Sequence, residues 1–182
     1  MTILILGLAV WYLSHLLRRL APGLRAAMGD TPGKMVVSLL TILSIYLMVK
    51  GFRGADTVEI WSPPAFMTHV NNLLMLLAVF LVNLGYSRGA LRAKIRHPML
   101  ASVKTWAIAH LLVNGDLASI VLFGGLLAWA VIDLILINRQ EPDWTPPAAG
   151  PVRNDLIYGV AALGVFAVIG WIHNWLGHWP FG

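Results

Sequence analysis

The chain has 182 residues, of which 58% are hydrophobic and 12% charged, with a formal charge of +5. An ordinary soluble domain carries roughly 25% charged residues, so the composition excludes a disordered chain and argues against a soluble enzyme. The absence of cysteine excludes disulfides, thiolate metal sites, iron–sulfur clusters and a cysteine nucleophile.

Apolar runs set the expected architecture: an all-α, polytopic transmembrane helical bundle of about six helices in one membrane-embedded domain, residues 1–182. The first run, 3–17, is followed at once by Arg18 and Arg19. A secretory signal carries its positive charges before the apolar stretch, so this run reads as a retained first helix. Further runs cover 35–49, 66–84, 105–113 and 117–137, the last two parted only by Asn114-Gly115-Asp116. Several fall short of the ~20 residues a span needs, so flanking polar residues must extend those helices. Residues 141–154 hold Pro142, Pro146, Pro147 and Pro151 and form an irregular connection to a last helix at 155–176.

Loop charges orient the spans. Arg18, Arg19, Arg25 and Lys34 lie between the first two, and Arg88, Arg92, Lys94, Arg96 and Lys104 between the third and fourth. The positive-inside rule places these connections and the Pro-rich loop in the cytoplasm and both termini in the periplasm. The basic excess is therefore an orientation signal, and no nucleic-acid partner is expected. Trp171, Trp175 and Trp179 read as an interfacial aromatic anchor. The partner implied by composition is the lipid bilayer.

Polar groups inside apolar runs carry the functional information, because hydrocarbon makes an ionisable side chain costly. His15 and His110 stand out. Each follows a tryptophan by four residues, Trp11 and Trp106, a spacing that puts both rings on one helix face. A ring beside an imidazole on two helices suits a flat cofactor clamped between them, and imidazole is a common axial ligand of haem iron. Asn114 extends the stripe of Ser102, Trp106 and His110 and could orient His110 through its second ring nitrogen. The bland alternative is chance: eight tryptophans and six histidines in this chain will produce such pairs, and a transmembrane histidine can simply hydrogen-bond a neighbouring helix. Asp116 reads as the cap of the fifth span, and Asp133 as the partner of a base near the inner surface. Gly124-Gly125 follows no strand and reads as a close helix contact, not a phosphate cradle.

The stretch Arg96-His97-Pro98-Met99-Leu100, continuing through Lys104-Thr105-Trp106-Ala107-Ile108-Ala109-His110-Leu111-Leu112-Val113-Asn114-Gly115-Asp116-Leu117-Ala118-Ser119 to Leu122-Phe123-Gly124, closely resembles the signature of the NnrU family of bacterial membrane proteins. His15 before a basic pair and Trp61-Ser62-Pro63-Pro64 before the third span are also similar to that family. The resemblance covers roughly residues 1–140. It implies the bacterial inner membrane and a link to nitrite and nitric oxide reductase systems. The family is similar to the zeta-carotene isomerases, membrane proteins that use haem b. There one axial histidine lies in the first family helix and the other thirteen residues after the histidine of Arg-His-Pro; here those positions are His15 and His110. The resemblance thus implies haem b, with His15 and His110 as metal ligands, Trp11 and Trp106 on the porphyrin, Asn114 behind His110, and Arg96 and Lys104 for the propionates. Ala107 stands where the isomerases have cysteine, which puts a redox-driven ligand switch in doubt.

Arg-His-Pro also occurs in distantly related membrane methyltransferases, but Leu100, Ser102 and the hydrophobic tail depart from their pattern. The alternatives to a redox or nitrogen-oxide role are a haem-dependent isomerase of a lipophilic, carotenoid-like polyene and a cofactor-free accessory protein of a nitrogen-oxide reductase. No catalytic residue is singled out, and enzyme and accessory readings both stay open.

Overall fold

A computed structural model describes residues 1–181. Among them are seven helices: α1 (Thr2–Leu20), α2 (Pro22–Ala27), α3 (Asp30–Arg53), α4 (Met67–Tyr86), α5 (Pro98–Val113), α6 (Leu117–Gln140) and α7 (Val152–Trp175), with a 3₁₀ turn at Leu91–Ala93 between α4 and α5. Five of them, α1, α3, α4, α6 and α7, are long and apolar enough to cross a membrane, and α5 is a shorter apolar helix. The polar flanks do extend the helices: α3 starts at Asp30 and α5 at Pro98, seven residues before the apolar run at 105. Proline is preorganised for a first helical position, where its missing N–H costs nothing. The Pro-rich connection ends at Pro151, because Val152 already opens α7.

The packing is inside-out relative to a soluble domain. Leu39, Leu73 and Val160 are 63%, 69% and 69% exposed. In a bundle with this composition such outward aliphatics face lipid. The interior mixes leucines and aromatics with small residues, which let helix backbones approach closely. A Cβ on Gly51 would overlap the Leu4 backbone, and one on Gly7 the Met48 amide, so α1 and α3 pack tightly there. Between α4 and α5, the buried Ser102 hydroxyl donates to the Ala78 carbonyl at 2.7 Å. Side by side the helices run α3, α1, α6, α5, α4, α7, with α6 joining the two groups.

The two ends differ in chemistry. Arg19, Arg96, Glu141, Asn138 and the Arg88–Ala93 turn gather at one end. There Arg19 pairs with Glu141 at 2.6 Å, and the Arg96 guanidinium donates to the Glu141 carbonyl. At the other end the α3–α4 and α5–α6 connections zip together through backbone: Leu117 N–H donates to Val58 at 2.8 Å, and Ile60 and Trp61 N–H to Gly115 at 2.8 and 3.1 Å. Up-and-down connectivity places both chain ends at this less basic end.

Candidate histidine site

α6 presents rings to both histidines. His15, on α1, stacks on Trp11 with centroids 3.9 Å apart and planes 24° off parallel. Trp129 of α6 meets the same imidazole edge-on at 5.0 Å. His110, on α5, lies 5.0 Å from Trp106, tilted by 49°, and stacks on Phe123 of α6 at 4.5 Å. The two tryptophan–histidine pairs expected from spacing therefore form, each closed by a ring from α6.

Both imidazoles are fixed through the same atom. Nδ1 of His15 lies 2.9 Å from the Trp11 carbonyl, and Nδ1 of His110 lies 2.9 Å from the Trp106 carbonyl. A carbonyl only accepts, so in this bond Nδ1 carries the proton and Nε2 is the lone-pair nitrogen. That is the tautomer a metal-ligating histidine needs, with its N–H held by a backbone acceptor.

The histidines are not brought to one cavity. No ring contact among the described residues joins them. Their α6 partners, Phe123 and Trp129, are six residues apart, about 9 Å along the helix. His110 borders an open apolar cavity of about 290 Å³ lined by α4, α5 and α7, and the histidine it shares that space with is His173. His173 is anchored as the others are, Nδ1 to the Ile169 carbonyl at 2.8 Å. The sequence reading placed His173 only at the close of the last span.

Trp129 was likewise missed. Its signal was available: Trp129 precedes Asp133 by four residues, a third instance of tryptophan before an ionisable group at helical spacing. Asp133 faces Arg19, His15 and His97 electrostatically, and no ion pair closes on it among the described residues. Trp11 and Trp129 each bury an indole N–H that finds no acceptor.

Asn114 does not orient the His110 ring. α5 ends at Val113 and Asn114 is extended, so its side-chain amide donates to the His110 backbone carbonyl at 2.8 Å and closes the helix end. The ring nitrogen is already taken by Trp106. Asp116 caps α6 as expected, accepting from the Ser119 amide at 2.9 Å and its hydroxyl at 2.6 Å. Partial burial pushes the Asp116 carboxyl up, but these bonds outweigh it and hold the group below its ordinary value. His97 bonds Asn138 at 2.9 Å through Nε2 and ties the start of α5 to the end of α6. Arg96 lies at that same basic end, and Lys104 is half-buried two turns into α5.

A family model described as NnrU protein matches residues 3–180 of the chain. The match takes in the last helix, beyond the 1–140 stretch whose motifs carried the resemblance. No curated protein matches the chain, and no solved structure does.

Proposed function

The chain belongs to the NnrU family, and from that premise we propose a multi-pass bacterial inner-membrane protein that holds haem b through His15 and His110, with a redox or nitrogen-oxide-related role. In this reading the basic end is cytoplasmic and both termini are periplasmic, following the positive-inside rule. The observation that carries the proposal is the matched preparation of two membrane-embedded imidazoles, each with Nδ1 on its own helix carbonyl and an aromatic face alongside.

The donor set fits haem in its chemistry. Neutral imidazoles offer Nε2, and Trp11 and Trp106 offer flat apolar faces. The orphaned indole N–H groups of Trp11 and Trp129 fit a group that brings acceptors. Arg96 and Lys104 are the cations assigned to propionates. Bound haem would supply one-electron redox chemistry and, were one of the two histidines to leave it, a site for a diatomic ligand. The chain's own part is to keep Nε2 unprotonated, orient the rings and exclude water with Phe123, Trp106 and Trp129. Because the histidines meet α6 about 9 Å apart along its axis, each against a ring, sharing one iron would require the rings of Phe123 and Trp129 to move.

The test is an absorption spectrum of detergent-purified protein prepared with haem available, oxidised and then dithionite-reduced, with pyridine haemochrome quantification. The expected result is a Soret band, sharp reduced bands and near-stoichiometric haem, lost in His15→Ala/His110→Ala. Full haem content in that double variant rejects the ligand assignment. A second reading, a cofactor-free accessory protein, is favoured by the rings of Phe123 and Trp129 that fill the space against both histidines. It predicts a colourless protein that captures a reductase component on affinity purification.

A further inference from the structure

On the face of α4 opposite the His110 cavity, α4 and α7 part around a second apolar cavity, of about 750 Å³. That volume is within the roughly 300–1,000 Å³ of sites that hold a bound small molecule. Leu73, Leu77, Phe80, Leu156 and Leu163 line it, and Lys94 stands at its basic end. From Asp155 to Leu163 α7 rises about 12 Å, close to half of the ~30 Å hydrocarbon thickness. The cavity thus runs from the basic surface towards the middle of the bilayer, along the depth of one leaflet.

Charge at its mouth has one sign. The only acid lining it, Asp155, is 6% exposed and turned into the protein. One carboxylate oxygen accepts from the Leu91 amide at 3.1 Å, and the other is buried against Gly89, where a Cβ would overlap it. The ion pairs among the described residues are Arg19–Glu141 and Lys34–Asp30, so Lys94 carries an unpaired charge. Arg88 and Arg92 precede it in the same connection, and Arg153 lies in the first turn of α7 beside the lining residue Val152. Basic pockets between transmembrane helices are suited to anionic lipid headgroups.

We infer that this groove holds an acyl chain of an anionic phospholipid from the leaflet at the basic end, with the lipid phosphate at Lys94. A zwitterionic headgroup would bring an amine, and the one carboxylate lining the groove, Asp155, is 6% exposed, so the amine would meet Lys94 and no accessible anion. The site shares no residue with the histidines, so it stands independently of the haem reading.

Native mass spectrometry of the delipidated full chain in detergent tests it, titrated with phosphatidylglycerol and with phosphatidylcholine of identical acyl chains. The chain is expected to retain phosphatidylglycerol several-fold better. Lys94→Gln, at an exposed position, should cut that preference about fivefold, the contribution of one basic residue near an anionic headgroup. Gly159→Met should lower retention of both lipids by filling the groove; the nearest atom to a Cβ there is on Phe80, at 3.9 Å, so the substitution is accommodated. Equal retention of the two lipids, a preference that survives Lys94→Gln, or retention unchanged by Gly159→Met overturns the inference. So does a dimer that occupies this face and is indifferent to lipid.

Discussion

The two ends of the bundle solve the same problem with different materials. Where α3 passes to α4 and α5 to α6, the connections satisfy each other through backbone, with Gly115 receiving two amides and Val58 a third. Where α4 passes to α5 and α6 to α7, side chains do most of the work: Asp155 holds the Leu91 amide, His97 holds Asn138, and Arg19 holds Glu141, beside one long backbone bond from Gly150 to Gly89 at 3.4 Å. The reason is that two connections lie side by side at the first end, so the backbone groups of the turn after α5 find their partners on the α3–α4 connection. The opposite end is rich in cations and can use exposed, exchangeable contacts.

Three substitutions bear on this contrast, in falling order of effect. Gly115→Ala should be the most damaging, since the added methyl meets the Trp61 carbonyl of the α3–α4 connection. Overpacking of this kind costs roughly 1–3 kcal/mol and should lower the melting temperature in detergent. If Gly115→Ala melts like the wild type, the two connections are not locked together. Asp116→Ala removes a helix cap, worth about 1 kcal/mol. It should also change the acid response. The folded carboxyl sits below its ordinary value, so its contribution is complete above the unfolded value of about 3.9 and is lost as pH falls through the folded value. Melting curves at a series of acidic pH values should therefore converge for wild type and Asp116→Ala. At the basic end, Glu141→Gln breaks an exposed pair. The Arg19 guanidinium bonds the Glu141 carboxyl and holds it below its usual range, yet solvent and salt screen the gain. A shift comparable to that of Gly115→Ala, persisting in high salt, would mean the ends are less different than their contacts imply.

Much of the fold was legible because hydrocarbon imposes simple demands. Long apolar runs gave the spans, and Asp116 before Leu117 gave the cap of α6. What escaped was set by neighbours distant in sequence. Nothing in Gly115 alone says that Val58 and Trp61 bond across it. Asn114 continued the stripe of His110 by spacing, but the helix stopped one residue earlier and sent its amide to backbone. His15 and His110 were picked out by local spacing, and each does lie against its tryptophan, His15 stacked and His110 tilted. Which rings close over them depends on α6, and which histidine shares the cavity of His110 depends on α7 packing beside α4. Helix order in space, α3, α1, α6, α5, α4, α7, is not the order along the chain, and periodicity carries no record of it.

The bond at Nδ1 has a consequence for proton movement. An imidazole relays a proton only if it can accept at one nitrogen and release from the other. In His110 and His173 the second nitrogen donates to a carbonyl of its own helix, Trp106 and Ile169, and a carbonyl in that position takes no proton onward. A proton reaching Nε2 must leave by the way it came. These rings can store a charge briefly, but as arranged they are dead ends in a wire, and a conducting role would require each to break away from the helix that holds it.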